Sequence, residues 1–249
     1  MAAVFAAGTG AGAVNAVVGS GTLITFPVLL ATGLSPVTAT VSNGLGLVPG
    51  SISAAIGYRE ELRGQRRRVL LLGIGAVLGG RAGAVLLLTL PESAFERIVP
   101  VLVSLALVLV ACQPLIAKQV RRRRPADAPA RRDGGPLLFT GLTLASVYGG
   151  YFSAAQGIIY VSLMGMLLDD TLQRLNAVKN VLAAVVNTVA AVLFVFFADF
   201  DWTAVLLIAV GSALGGLIGA RTGRRFSPAV LRTLIVSVGT VALVHLVLR

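Results

Sequence analysis

The feature that most constrains this chain is a series of long apolar runs. They cover Val69 to Leu90, Ile98 to Ala117, Val181 to Ala198, Trp202 to Ala220 and Ala229 to Leu248. Each approaches the roughly 20 residues that a helix needs to cross the hydrocarbon core of a bilayer. In lipid every backbone polar group must find its partner within the protein, so only helices and closed barrels span. A barrel would show short strands of alternating polarity, which these runs lack. Only 12% of the residues are charged, against about 25% in a soluble domain. The chain therefore reads as an all-α polytopic membrane protein.

Met1 to Ala31 does not read as a signal peptide, because no basic stretch precedes the apolar one, which is also too long and glycine-rich. Cys112 is the single cysteine, so no disulfide can form within the chain. The net charge of +11 raises the question of a nucleic-acid partner. The basic residues lie in short loops between apolar segments, where they orient a protein in the membrane. No nucleic acid is expected, and membrane lipid is the surrounding medium.

A charged, proline-rich linker, "KQVRRRRPADAPARRDGG", begins at Lys118 and cuts the chain near its middle. It predicts a first membrane repeat over residues 1–117, a linker over 118–136 and a second repeat over 137–249. "LGGRAGA" (Leu78 to Ala84) matches "LGGLIGA" (Leu214 to Ala220), at an offset of 136 residues. Glycines at Gly75, Gly79 and Gly83 recur at Gly211, Gly215 and Gly219; such ladders let helix backbones approach closely in lipid. The same offset sets Gly21 opposite Gly157, and one further residue sets "ATVSN" (Ala39 to Asn43) opposite "NAVKN" (Asn176 to Asn180). Each half reads as four segments: a long broken one, a polar-spotted helix, a glycine-ladder helix and a plain helix.

Loop charge bears on orientation. In the first half the loop after the second segment is basic (Tyr58 to Arg68) and the one after the third is acidic (Pro91 to Glu96). In the second half Asp199 to Asp201 follows the second segment and the basic Arg221 to Arg225 the third. Basic loops mark the cytoplasmic side, so the halves read as inverted repeats in the cell (plasma) membrane. Inversion needs an odd number of crossings per half. The long first and fifth segments, Ala3 to Ala31 and Leu137 to Leu168, are each expected to be a re-entrant hairpin or a sharply broken element. Eight plain crossings with tilted first and fifth helices would leave Arg221 to Arg225 on the wrong side.

"GSGTLITFPVLLATGLSPVTATVSN" (Gly19 to Asn43) holds the first break. Pro27 disfavours helix continuation, and Gly19 and Gly21 permit backbone angles that other residues resist. A half-helix starting near Ser20 and Thr22 presents free N–H groups and a positive dipole end, which suits an anion. "AAQGII", with Gln156 and Gly157, stands in the matching place. Thr40, Ser42 and Asn43 follow within one turn of each other, and Asn176, Lys179 and Asn180 share a helix face. Lys179 has no acidic partner within helix reach, and an intramembrane lysine is by default functional; a bound anion would balance it. The bland alternative is that Lys179 snorkels to a boundary marked by Asp169, Asp170 and Arg174.

Other polar residues carry less. Arg81, mid-segment with Leu217 as counterpart, and the lone His245 read as snorkelling, core or interface residues. Asn15, Tyr148 and Tyr151 flank the breaks and suit either a ligand or freed backbone. Asn187 suits a bond to a neighbouring helix, and Asp169 with Asp170 an interfacial cap.

The Gly19 to Asn43 stretch resembles the glycine-rich break, proline and following "GLSP" segment of the sulfite exporter TauE/SafE family of membrane transporters. "LGGLIGARTGRRFSPAVLR" (Leu214 to Arg232) resembles that family's C-terminal glycine–arginine signature. "VVGSG" stands where a longer glycine run is usual, and "AAQGII" lacks a proline matching Pro27. The resemblance spans nearly the whole chain and implies passage of small anions, often sulfur compounds such as sulfite or sulfonates.

The leading reading is a secondary transporter for a small anion, with a site between the breaks formed by Gly19, Ser20, Gly21, Thr22, Thr40, Ser42, Asn43, Gln156, Gly157, Asn176, Lys179 and Asn180. No phosphate-binding loop motif is present, so direct ATP drive is not expected. An anion channel is the alternative within transport. An intramembrane enzyme fits poorly: one histidine and one cysteine make a poor metal set, and no nucleophile elbow occurs. No cofactor is implied, and a homo-oligomer is left open.

Overall fold

The structure is a computed structural model describing residues 1–122, 134–222 and 228–247. The described residues form ten helices: α1 (Ala2–Val17), α2 (Thr22–Ala31), α3 (Pro36–Gly57), α4 (Arg66–Thr89), α5 (Glu92–Arg122), α6 (Gly135–Tyr151), α7 (Gln156–Leu167), α8 (Leu172–Phe197), α9 (Trp202–Thr222) and α10 (Pro228–Val247). Four stretches, Arg66–Thr89, Glu92–Ile116, Leu172–Phe197 and Trp202–Thr222, are long and apolar enough to cross a membrane. Most of the 118–136 linker, and Gly223 to Arg225 of the last basic loop, lie outside the described residues, as does the His245 side chain.

The first and fifth segments are each broken. Residues 18–21 separate α1 from α2, and 152–155 separate α6 from α7. Pro27, expected to end a helix, instead lies inside α2. The break comes earlier, at Gly19, whose φ of +85° leaves the helical region. Within α2, Pro27 removes one backbone donor without stopping the turns on either side. In the second break Ser153 and Ala155 take positive φ, 60° and 58°. Downstream, Ser35 caps α3 by accepting the Thr38 N–H at 3.3 Å, with Pro36 at the first helical position. Thr171 caps α8 by accepting the Arg174 N–H at 3.4 Å. Asp169 and Asp170 were expected in that role, but the Asp170 carboxylate is drawn to Arg68 and Arg174, at 2.7 Å each.

The glycine ladders set the packing. A Cβ on Gly83 would sit 2.0 Å from the Val147 carbonyl oxygen of α6, and one on Gly215 2.0 Å from that of Thr9 on α1. So α4 lies against α6 and α9 against α1 at backbone contact, where dispersion replaces the absent hydrophobic drive. Successive contacts give directions. Gly211, Gly215 and Gly219 meet Phe5, Thr9 and Ala13 in order, and Gly75, Gly79 and Gly83 meet Thr143 and then Val147; both pairs are parallel. Gly46, Gly50 and Gly57 meet Ile208, Ser212 and Ala220, so α3 also runs with α9. By contrast α3 and α8 are antiparallel: Gly44 faces Phe194, while Ser51 bonds Asn187.

These directions sort the loops. At one end, Gly57 meets Ala220, Gln65 donates to the Arg174 carbonyl at 3.2 Å, and Arg68 pairs with Asp170. At the other end Ser35 donates to Glu92 at 3.0 Å, and Ser42 accepts the Asp201 N–H at 3.0 Å. α1 runs parallel to α9, whereas α2 turns back antiparallel to α3, from Thr22 beside Asn43 to the connection into Pro36.

Candidate functional site

The two breaks touch. The Gly157 N–H donates to the Gly19 carbonyl at 3.1 Å. A Cβ on Gly19 would lie 2.4 Å from the Gly157 Cα, and one on Gly157 2.5 Å from the Gly19 Cα. The repeat offset set Gly21 opposite Gly157; the contact is made by Gly19, because Gly21 is the N-cap residue of α2 and faces Ala11 and Asn15.

Around this contact is a small polar cavity of about 10 Å³, room for roughly one water. Gly19 and Thr22 line it from the first break, Ser153, Gln156 and Gly157 from the second, and Lys179, Asn187 and Asn15 from the helices beside them. Lys179 is 1% exposed. Its ammonium donates to the carbonyls of Asn15 at 2.9 Å and Ala16 at 3.1 Å. These are last-turn carbonyls of α1, the negative end of that helix. The ammonium has three donors, and two are used here. Asn180 adds a bond to the Ala16 carbonyl at 3.2 Å. Lys179 therefore has partners that no carboxylate count in the sequence reveals, and it does not reach the boundary at Asp170.

The start of α2 is open. Among the described residues, the N–H groups of Ser20, Gly21 and Thr22 donate to no protein acceptor, and the fully buried Ser20 hydroxyl has no partner. Thr22 Oγ1 lies 3.0 Å from the Ser153 hydroxyl and accepts from Asn43 Nδ2 at 3.1 Å. Asn43 also accepts from Thr25, so it braces the first turn of α2. Gln156 donates to the Tyr160 hydroxyl at 2.6 Å, which lies 2.6 Å from Ser146. Phe152 closes the second break edge-on against Phe26 and Phe95, at 5.4 and 6.3 Å.

The structure brings Gly19, Ser20, Gly21, Thr22, Asn43, Gln156, Gly157, Lys179 and Asn180 into one region. Of the twelve expected residues, Gly19, Thr22, Gln156, Gly157 and Lys179 line the cavity, while Ser20, Gly21, Thr40, Ser42, Asn43, Asn176 and Asn180 do not. Thr40 bonds back to the Pro36 carbonyl at 2.8 Å, Ser42 holds the Asp201 turn, and Asn176 is half-buried. Tyr148 satisfies freed backbone, donating to the Ala154 carbonyl at 2.7 Å, and the buried Tyr151 hydroxyl has no partner. Arg81 is exposed on α4. Asn187 bonds a neighbouring helix as expected, donating to Ser51 at 3.1 Å; Asn15 reaches the same hydroxyl at 3.5 Å. Ser51 and Ser153 were missed. The 136-residue offset that pairs the glycine ladders also pairs Ser51 with Asn187, and that register could have found it.

Asp170 sits at the basic end, outside the helices. Burial pushes its carboxyl up, but the Arg68 bond, the Thr171 N–H and the Arg174 charge outweigh this and hold it below the usual carboxylate range.

No solved structure matches the chain. It is 28% identical over 236 residues to the probable membrane transporter protein YfcA of Escherichia coli K12, covering 93% of this chain and 83% of that protein. It is 26% identical over 239 residues to a probable membrane transporter protein of Haemophilus influenzae, covering 95% and 90%. A Sinorhizobium protein named probable membrane transporter protein ORF9 is 26% identical over 253 residues, covering 99% and 92%. The sulfite exporter TauE/SafE family matches residues 4–246, so the chain belongs to that family of membrane transporters.

Proposed function

We propose that this transporter exports a small anion, of the class of sulfite or simple sulfonates, through a site where the two helix breaks meet. One observation carries the reading: Gly157 bonds Gly19 beside a buried lysine and three unbonded N–H groups at the start of α2. Backbone donors and a positive dipole end favour negative charge, and the third ammonium donor of Lys179 is free to join them. The family description supplies the sulfur class.

The halves act as inverted repeats. The starts of α3, α4 and α5 precede those of α8, α9 and α10 by 136 residues each, and α3 and α8 run in opposite directions. The pairs α1–α2 and α6–α7 are re-entrant hairpins from opposite ends, leaving three crossings per half. The end carrying Tyr58 to Arg68 is cytoplasmic, since basic loops stay inside. The cavity, with room for about one water, is smaller than any oxyanion. Substrate must therefore enter by separating the repeats, which favours alternating access over an open channel.

Proteoliposomes loaded with sulfite, simple sulfonates, sulfate, chloride or acetate test the reading. Efflux of one class that saturates with concentration supports it; efflux of none, or equal unsaturable leak of all, refutes it.

A further inference from the structure

Lys179 does more than supply charge to a substrate. Its ammonium lies where α1 ends, held by two main-chain carbonyls, with the Asn15 and Asn187 amides close by. Among the described residues, no carboxylate lines the cavity. Carbonyl oxygens at the C-terminal end of a broken intramembrane helix are the ligands with which many secondary transporters hold a coupling cation such as sodium. We infer that the end of α1 is a monovalent-cation site which the chain fills with its own tethered ammonium, so that this transporter closes around substrate without sodium.

The inference rests on the transporter reading and adds the class of its coupling. The two halves differ here. The sequence match sets Asn43 opposite Asn180, but the starts of α3 and α8 are 136 residues apart, and that structural register sets Asn43 opposite Lys179. The neutral Asn43 amide is used on Thr22 and Thr25. Among the described residues, the first repeat therefore has a neutral amide where the second has a tethered cation. The ammonium offsets the negative end of α1 and joins α8 to the first break at both carbonyls. A freely exchanging ion would make that join conditional on external sodium; a tethered one lets it form and part without any external ion.

Removing the ammonium should leave the Asn15 and Ala16 carbonyl oxygens facing a space that a small ion can enter. Lys179→Ala opens the space, whereas Lys179→Met removes the charge but fills it. The experiment is thermal melting of purified wild type, Lys179→Ala and Lys179→Met in sodium, lithium, potassium and N-methylglucamine chloride. No substrate is added, so failure here is distinct from failure of anion transport. Wild type should melt alike in all four salts. Lys179→Ala should melt lower in N-methylglucamine and regain several degrees with sodium or lithium, saturably, as a ligand that binds only the folded state must cause. Lys179→Met should not respond. Sodium-specific stabilisation of the wild type, or no cation response in Lys179→Ala, overturns the inference. Should Lys179→Ala fail to fold, the wild-type comparison and sodium-free transport in proteoliposomes decide it: dependence on sodium in either overturns it, and indifference in both upholds it.

Discussion

Three glycine-to-alanine substitutions separate backbone strain from the contact between the breaks. Gly33 has φ of +92° and nothing within 4 Å of where a methyl would sit, so Gly33→Ala tests strain alone. That costs about 1–2 kcal/mol. Gly157 has no such strain, but its new methyl would press 2.5 Å from the Gly19 Cα and 2.9 Å from Lys179 Cδ. Overpacking of this kind costs about 1–3 kcal/mol, and parting the breaks loses a hydrogen bond of about 1 kcal/mol. Alanine's better helix propensity returns about 0.5–1 kcal/mol, leaving a net loss of about 1–3 kcal/mol. Gly19 combines both terms, with φ of +85° and a methyl 2.4 Å from the Gly157 Cα, so Gly19→Ala should cost about 2–5 kcal/mol. Melting of the purified variants in detergent should rank them Gly19 below Gly157 and Gly33. Transport should survive Gly33→Ala and fall in the other two. A Gly157→Ala protein that melts and transports like the wild type would refute the contact between the breaks as a functional junction.

Lys179→Met should weaken anion binding by roughly 1.5–3 kcal/mol, while Lys179→Arg, which keeps charge but not donor geometry, should retain part of it; titration of the purified variants with substrate measures both. Asn43→Ala removes two bonds to the first turn of α2 and should lower stability by about 1–3 kcal/mol, read by the melting shift. Because the Asp170 carboxyl is held below its usual range, its stabilising effect is present above a pKa of about 3.9 and is lost as pH falls through the lower folded value. Asp170→Asn should therefore lower the melting temperature near neutral pH and flatten its fall in acid. With Cys112 replaced by serine, cysteines placed in Tyr58 to Arg68, Lys118 to Gly135 and Arg221 to Arg225 should label from the cytoplasm and those in Asp199 to Asp201 from outside; outside labelling at Arg221 would end the inverted-repeat reading.

Much of the fold was legible because lipid leaves few choices. Apolar length marked α4, α8, α9 and α10 to within a few residues at most ends, and the glycine ladders announced the α1–α9 and α4–α6 contacts without naming the partners. The α8 start was the exception. It lies at Leu172, well before the apolar run at Val181, because Asn176, Lys179 and Asn180 interrupt the apolar pattern inside the helix, where Lys179 and Asn180 bond the end of α1. The breaks were visible in their glycines, but Pro27 misled: a proline costs one donor, and turns on either side can carry the helix through. Lys179 was found for its rarity, and its partners were not, since main-chain carbonyls at a helix end leave no side-chain signature. Thr40 and Ser42 looked like site residues because they neighbour Asn43 in sequence. On a helix, adjacent residues point in different directions: Asn43 bonds α2, whereas Thr40 bonds the Pro36 carbonyl and Ser42 the Asp201 turn.

The most direct test of an anion site at the junction of the breaks is substrate binding to purified protein, wild type beside Lys179→Met and Gly157→Ala. Wild type should bind sulfite or a simple sulfonate saturably and more tightly than chloride or acetate, and both variants should lose that affinity while remaining folded. Equal affinity in all three proteins, or no anion bound by the wild type, would contradict a site there.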